Sequence, residues 1–194
     1  DNKINFAFTV EDSDKFYVEK INILGNFTTI EEVIRNKLVV DEGDPFNKLL
    51  HNKSLNQIRS LGIFKTVKSE MTEGTEVNSK VLNISVEEKP TGEISLGAGY
   101  GTDGGVIGGS VTEKNFLGRG INLNTDFQFS SDGVKGSLKY SKPNFNYSDN
   151  SLFTTIKSTS QDNLSSSGYK IKTAGVSLGT TFEQFDSLFF SPEI

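Results

Sequence analysis

Glycines concentrated between Gly97 and Gly105 form the segment of this sequence that comes nearest to a ligand-binding motif. They occur in the run Gly-Ala-Gly-Tyr-Gly-Thr-Asp-Gly-Gly. A phosphate loop needs a helix directly after its glycines, because the helix N-terminus supplies the N–H groups that hold the phosphate. The following residues alternate between apolar and polar types, which predicts a strand. We therefore interpret the segment as a glycine-weakened strand with a tight turn.

Other side chains with potential chemistry are few. The sequence has no cysteine and a single histidine, His51, on a predicted helix without a serine or metal-ligand partner. Glu11, Asp12 and Asp14 form an acidic cluster whose spacing does not fit a calcium loop, so we interpret it as a solvated turn. We predict no catalytic residue, no metal and no cofactor, and we expect the protein not to be an enzyme.

Composition excludes one class of partner. The net charge is −5, and no basic stripe exists to replace the counterions of a nucleic acid. Hydrophobic residues make up only 34%, but 15 phenylalanines and 5 tyrosines argue against disorder. The sequence opens with Asp-Asn-Lys and closes with Ser-Pro-Glu-Ile, and we expect it to be part of a longer protein.

A compositional boundary lies at Pro90. Residues 1–89 contain four of the 19 glycines, and charged residues are denser there than in the rest of the chain. Proline ends a strand ladder, and Gly92 allows a turn directly after it. We therefore predict domains at 16–89 and 90–194, with residues 1–15 left over from a preceding unit.

The region before Pro90 has the pattern of an α+β domain. Thr29 and Glu32 have the spacing of a helix capping box, and Gly62 is suited to ending a second helix. The predicted order is strand (17–23), helix (30–38), helix (47–61), strand (63–71) and strand (80–88), with both helices on one face of the sheet. Leu50, Leu55, Ile58 and Leu61 form the predicted apolar face of the second helix. The predicted core consists of Ile21, Ile23, Val33, Ile34, Leu38, Leu55, Ile58, Leu61, Ile84 and Val86.

Beyond Pro90 the hydrophobic period changes to two, which predicts antiparallel strands at 93–101, 105–116, 120–130, 134–142, 151–160 and 169–183. A soluble sandwich would show the same alternation. Strands of about ten residues with charges in mid-strand favour a tilted transmembrane barrel with a wet lumen. Because about six such strands cannot close a barrel, we expect an incomplete one.

The alternation also predicts which side chains meet lipid. We expect Leu123, Phe127, Phe129, Leu138 and Tyr140 to face outward, and Asn124, Asp126, Gln128, Lys135 and Lys139 to face the lumen. Aromatic residues near strand ends suggest interfacial girdles: Tyr100, Phe116, Phe145, Tyr147 and Phe153. Arg119 is interpreted as a turn residue at the headgroup level, where a cation is tolerated.

Several segments resemble one known family. Tyr17-Val-Glu-Lys-Ile-Asn-Ile-Leu-Gly-Asn26 resembles the first strand of a POTRA (polypeptide-transport-associated) domain, and Leu61-Gly-Ile-Phe-Lys-Thr-Val67 resembles its helix-to-strand junction. Residues 1–15 look like the last strand of a preceding POTRA domain. Residues 97–105 and Asn115-Phe-Leu-Gly-Arg-Gly120 are similar to the first barrel hairpin of BamA-type proteins. The order of these motifs is more specific than any one of them.

The resemblance implies a protein that assembles and inserts β-barrels into the bacterial outer membrane, with its POTRA domain in the periplasm. Implied partners are unfolded outer-membrane proteins, accessory assembly lipoproteins and outer-membrane lipid, with no nucleic acid. The implied lateral-gate strand comprises Glu93, Ile94, Ser95, Leu96, Gly97, Ala98, Gly99, Tyr100 and Gly101. The POTRA edge strand expected to pair with an added strand comprises Ile63, Phe64, Lys65, Thr66, Val67 and Lys68.

Two other classes remain open at this point. A two-partner-type secretion pore shares the POTRA-plus-barrel plan but exports one protein through its lumen. A passive porin-like channel with an appended domain is the third possibility. The number of tandem POTRA domains in the full-length sequence distinguishes the first two, since several favour the assembly protein and one or two favour the pore.

Overall fold

The structure, a computed structural model, describes residues 15–101, 104–186 and 188–194. Residues 1–14 of the predicted last strand of a preceding POTRA domain lie outside these ranges, and they include the acidic cluster. Thr102 and Asp103 of the glycine-rich segment also lie outside them. The described chain contains a three-stranded and a seven-stranded sheet. Among the described helices, none is long and apolar enough to cross a membrane.

The region before Pro90 has the predicted order of elements. These are β1 (Tyr17–Leu24), α1 (Glu31–Arg35), α2 (Lys48–Ser60), β2 (Phe64–Glu73) and β3 (Ser79–Glu88). The sheet order is β1-β3-β2, with β3 parallel to β1 and antiparallel to β2. The third strand in the sequence, β3, is therefore the central strand of the sheet, and β1 and β2 are its two edges.

A single hydrophobic cluster joins both helices to this sheet. Six of the predicted core residues are buried in it: Ile21, Ile34, Leu55, Ile58, Ile84 and Val86. The other four, Ile23, Val33, Leu38 and Leu61, are partly buried against it. The prediction missed six further buried members, which are Val18, Val40, Ile63, Phe64, Val67 and Leu82.

The predicted capping box is wrong, and the first helix is shorter than predicted. The N-cap of α1 is Ile30, with no side-chain cap, and the helix ends at Arg35. Thr29 is buried, and its hydroxyl accepts a hydrogen bond from the Asn115 amide (2.9 Å) instead of capping the helix. The Lys37 N–H bonds the Ile34 carbonyl three residues back, which tightens the chain after the last helical turn.

The buried face of α2 also differs from the prediction. Leu50 remains 40% exposed, whereas His51 and Ser54 are buried beside Leu55 and Ile58. Ser54 can be buried because its hydroxyl donates to the Leu50 carbonyl (3.0 Å) and accepts from the Val39 N–H (2.8 Å). A satisfied hydroxyl has no unpaired-group penalty, so it can occupy a core position of the helix.

Antiparallel strands follow the boundary, as predicted. They are β4 (Gly92–Gly101), β5 (Gly104–Phe116), β6 (Ile121–Ser130), β7 (Gly133–Lys142), β8 (Ser151–Asn163), β9 (Tyr169–Phe185) and β10 (Leu188–Phe190). A short helix, α3 (Leu164–Ser167), joins β8 to β9. The order β10-β9-β8-β7-β6-β5-β4 leaves the sheet open, with β4 at one edge and the unpredicted β10 at the other.

Strand register divides this sheet into an apolar and a polar face. Leu123 pairs with Tyr140 and Phe129 pairs with Val134, while the intervening Asn124 pairs with Lys139 and Gln128 with Lys135. Paired residues of neighbouring strands lie on the same face. The predicted lipid-facing and lumen-facing sets therefore lie on opposite faces.

Phe153 is an exception to the predicted aromatic girdle. It pairs with Ser141 and Gly179, so it lies on the polar face, and only 6% of it is exposed. The absence of a side chain at Gly179 leaves room for the ring, because a Cβ there would lie 2.3 Å from it. The Lys139 ammonium lies over the ring at 4.4 Å from its centroid.

Candidate functional site

The predicted gate strand forms the free edge of the seven-stranded sheet. All ten residues of β4 are exposed, and within the described ranges the strand pairs only with β5, from Gly92 opposite Glu113 to Gly101 opposite Gly104. A Cβ added at Gly97, Gly99 or Gly101 would meet no atom within 4 Å. Over these three glycines, β4 has neither side chains nor neighbouring atoms in the described part of the chain, whereas Glu93 and Ser95 occupy the start of the same face.

The opposite face of β4 carries its apolar side chains, and one of them leans over a glycine of β5. Gly109 of β5 pairs with Leu96 on one side and with Phe127 of β6 on the other. A Cβ at Gly109 would lie 2.7 Å from Leu96 and 2.8 Å from the Phe127 ring. Both side chains thus lean over the glycine and fill the space that a side chain there would need, an arrangement that the sequence pattern did not reveal.

The two edges of the three-stranded sheet are not equally open. On β1, the Val18 N–H donates to the Asp44 carbonyl (2.9 Å) and the Val18 carbonyl accepts from the Gly43 N–H (2.7 Å). The Ile21 N–H donates to the Glu42 carboxylate (2.9 Å), and the Ile21 carbonyl accepts from Arg35 (2.8 Å). The chain therefore closes the edge of β1 with its own groups.

Among the residues that the structure describes, no strand pairs with the outer edge of β2. The Val67 carbonyl is bonded by Arg59 (3.1 Å), so it points away from β3. Because the backbone groups of alternate residues point to the same side of a strand, the N–H and C=O groups of Ser69 and Met71 also point away from β3. Even-numbered residues should then direct their backbone groups toward β3. The Gly74 N–H fits this rule, since it donates to the Ser79 carbonyl (2.9 Å).

The six residues predicted for the open edge, 63–68, differ in how far their side chains are buried. Ile63 precedes β2, and its carbonyl accepts from the Lys89 N–H (3.2 Å). Phe64 and Val67 are buried in the core. Lys65 and Thr66 both bond the Glu87 carboxylate of β3 (2.8 and 3.1 Å), and Lys68 is exposed. Recognition at this edge must therefore use the backbone and the polar face, because the apolar side chains face inward.

Sequence reasoning missed the junction between the two sheets. The turn after β5 packs against the segment before α1, where the Ile30 N–H donates to the Gly118 carbonyl (2.9 Å). Asn115 is buried there, donating to the Thr29 hydroxyl and accepting from the Gly120 N–H (2.8 Å). Asn115 lies in a segment that has the pattern of a turn, and nothing in a single sequence indicates that such an asparagine is buried.

Two further contacts connect the domains. Glu88, at the end of β3, accepts from the N–H groups of Thr28 (3.0 Å) and Thr29 (2.6 Å) and so holds the segment that meets the barrel turn. The Lys37 ammonium donates to the Asn144 side chain of the turn after β7 (2.7 Å). Burial lowers the pKa of Lys37, while nearby Asp149 opposes that shift.

The other residues considered for chemistry are not assembled into a site. The glycines of 97–105 lie in a strand hairpin with no following helix. His51 packs against the Phe46 ring at 5.6 Å between centroids, and burial lowers its pKa. In the described part of the chain, no group of His, Cys, Asp and Glu side chains is arranged to hold a metal.

Comparison with known proteins shows what this arrangement is similar to. The family model for POTRA, described as a surface antigen variable number repeat, matches residues 16–89. BamA of Neisseria meningitidis, an outer membrane protein assembly factor, is 30% identical over 90% of this chain and 23% of its own length. The crystal structure of BamA from Haemophilus ducreyi lacking POTRA domains 1–3 superposes with a TM-score of 0.83 and 26% identity. It covers 93% of this chain, which in turn covers 35% of that structure.

The fold and the junction therefore define a POTRA domain followed by an incomplete barrel of the outer-membrane type. The chain is similar to BamA-like proteins over most of its length. It spans 17–23% of the length of the curated relatives that it matches. CdiB from Escherichia coli has a TM-score of 0.58 at 15% identity over 88% of this chain and 34% of its own, which is a likeness of fold alone.

Proposed function

We propose that the protein containing this chain inserts β-barrel proteins into the bacterial outer membrane by strand templating at a lateral gate formed by β4. An unpaired strand in lipid leaves its N–H and C=O groups unsatisfied, at a cost of several kcal/mol each. A free strand edge lowers this cost for an incoming strand. Gly97, Gly99 and Gly101 lie at alternate positions on one face of β4, so few side-chain contacts can hold this strand in a seam, and this is the observation that carries the proposal.

The hairpin of β4 and β5 supports this mechanism. A gate must separate from the last barrel strand without separating from its other neighbour. An uninterrupted antiparallel ladder with β5, from Gly92 opposite Glu113 to Gly101 opposite Gly104, holds β4 to the sheet on one side. The glycines on the other face remove contacts and raise the entropy of the unpaired strand.

We further propose that the domain at 16–89 lies in the periplasm and pairs with unfolded outer-membrane proteins or accessory lipoproteins along β2. Strand addition needs an unpaired edge. The β1 edge is closed by residues 42–44 and Arg35, which leaves β2 as the accepting strand. A proline at Ser69, whose N–H points outward, should weaken such pairing, whereas a proline on the closed β1 edge would disrupt the fold itself.

Disulfide locking of the full-length protein tests the gate. One variant joins Ser95→Cys to a cysteine on the last barrel strand, and the matched control joins Ser95→Cys to Ser110→Cys, its partner on β5. The seam lock should abolish insertion of a substrate barrel into lipid vesicles, and reduction should restore it. The control lock should retain full insertion.

Full insertion by the seam-locked protein would contradict a lateral gate. Export through the lumen does not require the seam to open, so a secretion pore would tolerate both locks. The same pair of variants therefore separates the insertase from the two-partner-type pore.

A further inference from the structure

A cavity of about 430 Å³ lies where α1 meets the turns after β5 and β7. Ile30 and Val33 line it from the POTRA domain, and Arg119, Lys142 and Phe145 line it from the barrel side. Neither gating nor strand addition uses this cavity.

The charged side chains around the cavity favour an anion. Arg119 and Lys142 are its two cations and Glu32 is its one carboxylate. Neither cation forms a salt bridge with any residue that the structure describes. The amide groups of Asn36 and Asn146 add further N–H donors to the lining. Two unpaired cations beside amide donors form a suitable environment for a phosphate oxygen.

The position of Lys142 indicates which phosphate is available. Leu138, Tyr140 and Lys142 are alternate residues of β7, so all three lie on the apolar face. Leu138 and Tyr140 are exposed on that face. The order of aliphatic, aromatic and cationic side chains toward the POTRA domain is the order found from the hydrocarbon core of a bilayer to its headgroups. Lys142 therefore lies at the depth of the lipid phosphates.

The remaining lining suits an amphiphile rather than a free ion. Ile30 and Phe145 are both partly exposed beside the cations. A headgroup phosphate bound to Arg119 and Lys142 would bring its glycerol and upper acyl atoms against these two side chains. Burying their apolar area would contribute to binding, whereas inorganic phosphate would gain only the ionic contacts.

We propose that this cavity binds the phosphate headgroup of an anionic lipid, held by Arg119 and Lys142, so that one lipid bridges the POTRA domain and the barrel. The inference rests on the membrane placement of the proposed function. It extends that function by assigning lipid a specific site at the joint between the two domains.

The test measures phosphatidylglycerol bound to the full-length protein in neutral detergent, by native mass spectrometry. R119Q/K142Q should lose one tightly bound lipid, with affinity falling roughly thirtyfold for two cations near a lipid surface. The matched control is K135Q/K139Q, which removes the same charge from the polar face of β7 and should leave the count unchanged. Glu32→Gln removes the one carboxylate of the lining and should therefore strengthen lipid binding. A folding defect would weaken binding, so it could not produce this result.

Equal lipid retention by R119Q/K142Q and the control would overturn the proposal. Competition by inorganic phosphate as strong as that of phosphatidylglycerol would reassign the cavity to a free anion and would also overturn the lipid assignment. Loss of lipid with substrate insertion retained would support the site independently of the gate. Absence of insertion by a wild-type protein that binds its lipid would count against the proposed function alone.

Discussion

The side-chain amide of Asn115 donates to the hydroxyl of Thr29 at 2.9 Å, across the boundary between the barrel and the POTRA domain. Both residues are buried, and the amide oxygen of Asn115 accepts from the Gly120 N–H of its own turn. One side chain thus shapes the turn after β5 and attaches it to the neighbouring domain.

Asn115→Ala should destabilise the junction by about 1–3 kcal/mol, because it leaves the Gly120 N–H unpaired in a buried site and removes the hydrogen bond to the Thr29 hydroxyl. Thr29→Val should cost less, since Asn115 keeps its bond to Gly120. The double mutant should show a coupling of about 1 kcal/mol. Denaturation of the full-length protein measures these values, and additive effects would contradict the contact.

The close approach at Gly118 can be tested with a matched pair of glycines. Gly118 has φ +70° and Gly62 has φ +69°, so an alanine is strained equally at both. A Cβ at Gly118 would lie 2.0 Å from the Thr28 carbonyl oxygen, whereas a Cβ at Gly62 would meet nothing within 4 Å. Gly118→Ala should therefore broaden the distance distribution between spin labels at Val77 and Leu164, and Gly62→Ala should leave it unchanged. Equal broadening would show that backbone strain alone is responsible.

Glu19 connects β1 to the turn between β2 and β3, and this link should depend on pH. Hydrogen bonds from the hydroxyl of Ser79, and next from Thr75, lower the pKa of Glu19 from 4.5 to about 2. A lowered folded-state pKa means that the stabilisation is complete above pH 4.5 and is lost as the pH falls toward 2. The denaturation midpoints of the wild type and Glu19→Gln should therefore differ at pH 7 and converge near pH 2. A difference that does not vary with pH would exclude this role.

The two faces of β7 should tolerate charge differently. Leu138 lies on the apolar face opposite Ile156, whereas Ser137 on the polar face donates to the Asp126 carboxylate (3.1 Å). A lysine on a lipid-facing midplane position costs about 2–4 kcal/mol and much less on the lumen side. Leu138→Lys should reduce assembly of the full-length protein in heat-modifiability gels, and Ser137→Lys should have little effect. Equal assembly of both variants would argue against a membrane-facing β7.

Residue pattern was sufficient to predict most individual elements. Period-two alternation placed β4 to β9 within a few residues of their observed limits, because alternation reflects only the pleat and the polarity of the two faces. It failed for β10, which is too short to show a period. The girdle prediction also failed for Phe153. It used only aromatic type and position near a strand end, and these do not report which face a residue occupies.

Local signals failed where another part of the chain competed for the same group. Thr29 has the spacing of a helix cap, but its hydroxyl is taken by Asn115, 86 positions away. Leu50 is an apolar residue and was expected in the core, but Ser54 is buried there instead. The burial is possible because the Val39 N–H and the Leu50 carbonyl both bond the Ser54 hydroxyl. No local rule includes these distant partners.

The sequence by itself determined the α+β domain, the alternating strands, the boundary at Pro90 and the resemblance to BamA-like proteins, because each depends on residue type and short spacing. The tertiary structure alone decided which sheet edge is open, how Asn115 joins the domains and where Arg119 and Lys142 share a cavity. These features depend on pairing between distant segments, whose register is set by long-range packing and buried hydrogen bonds.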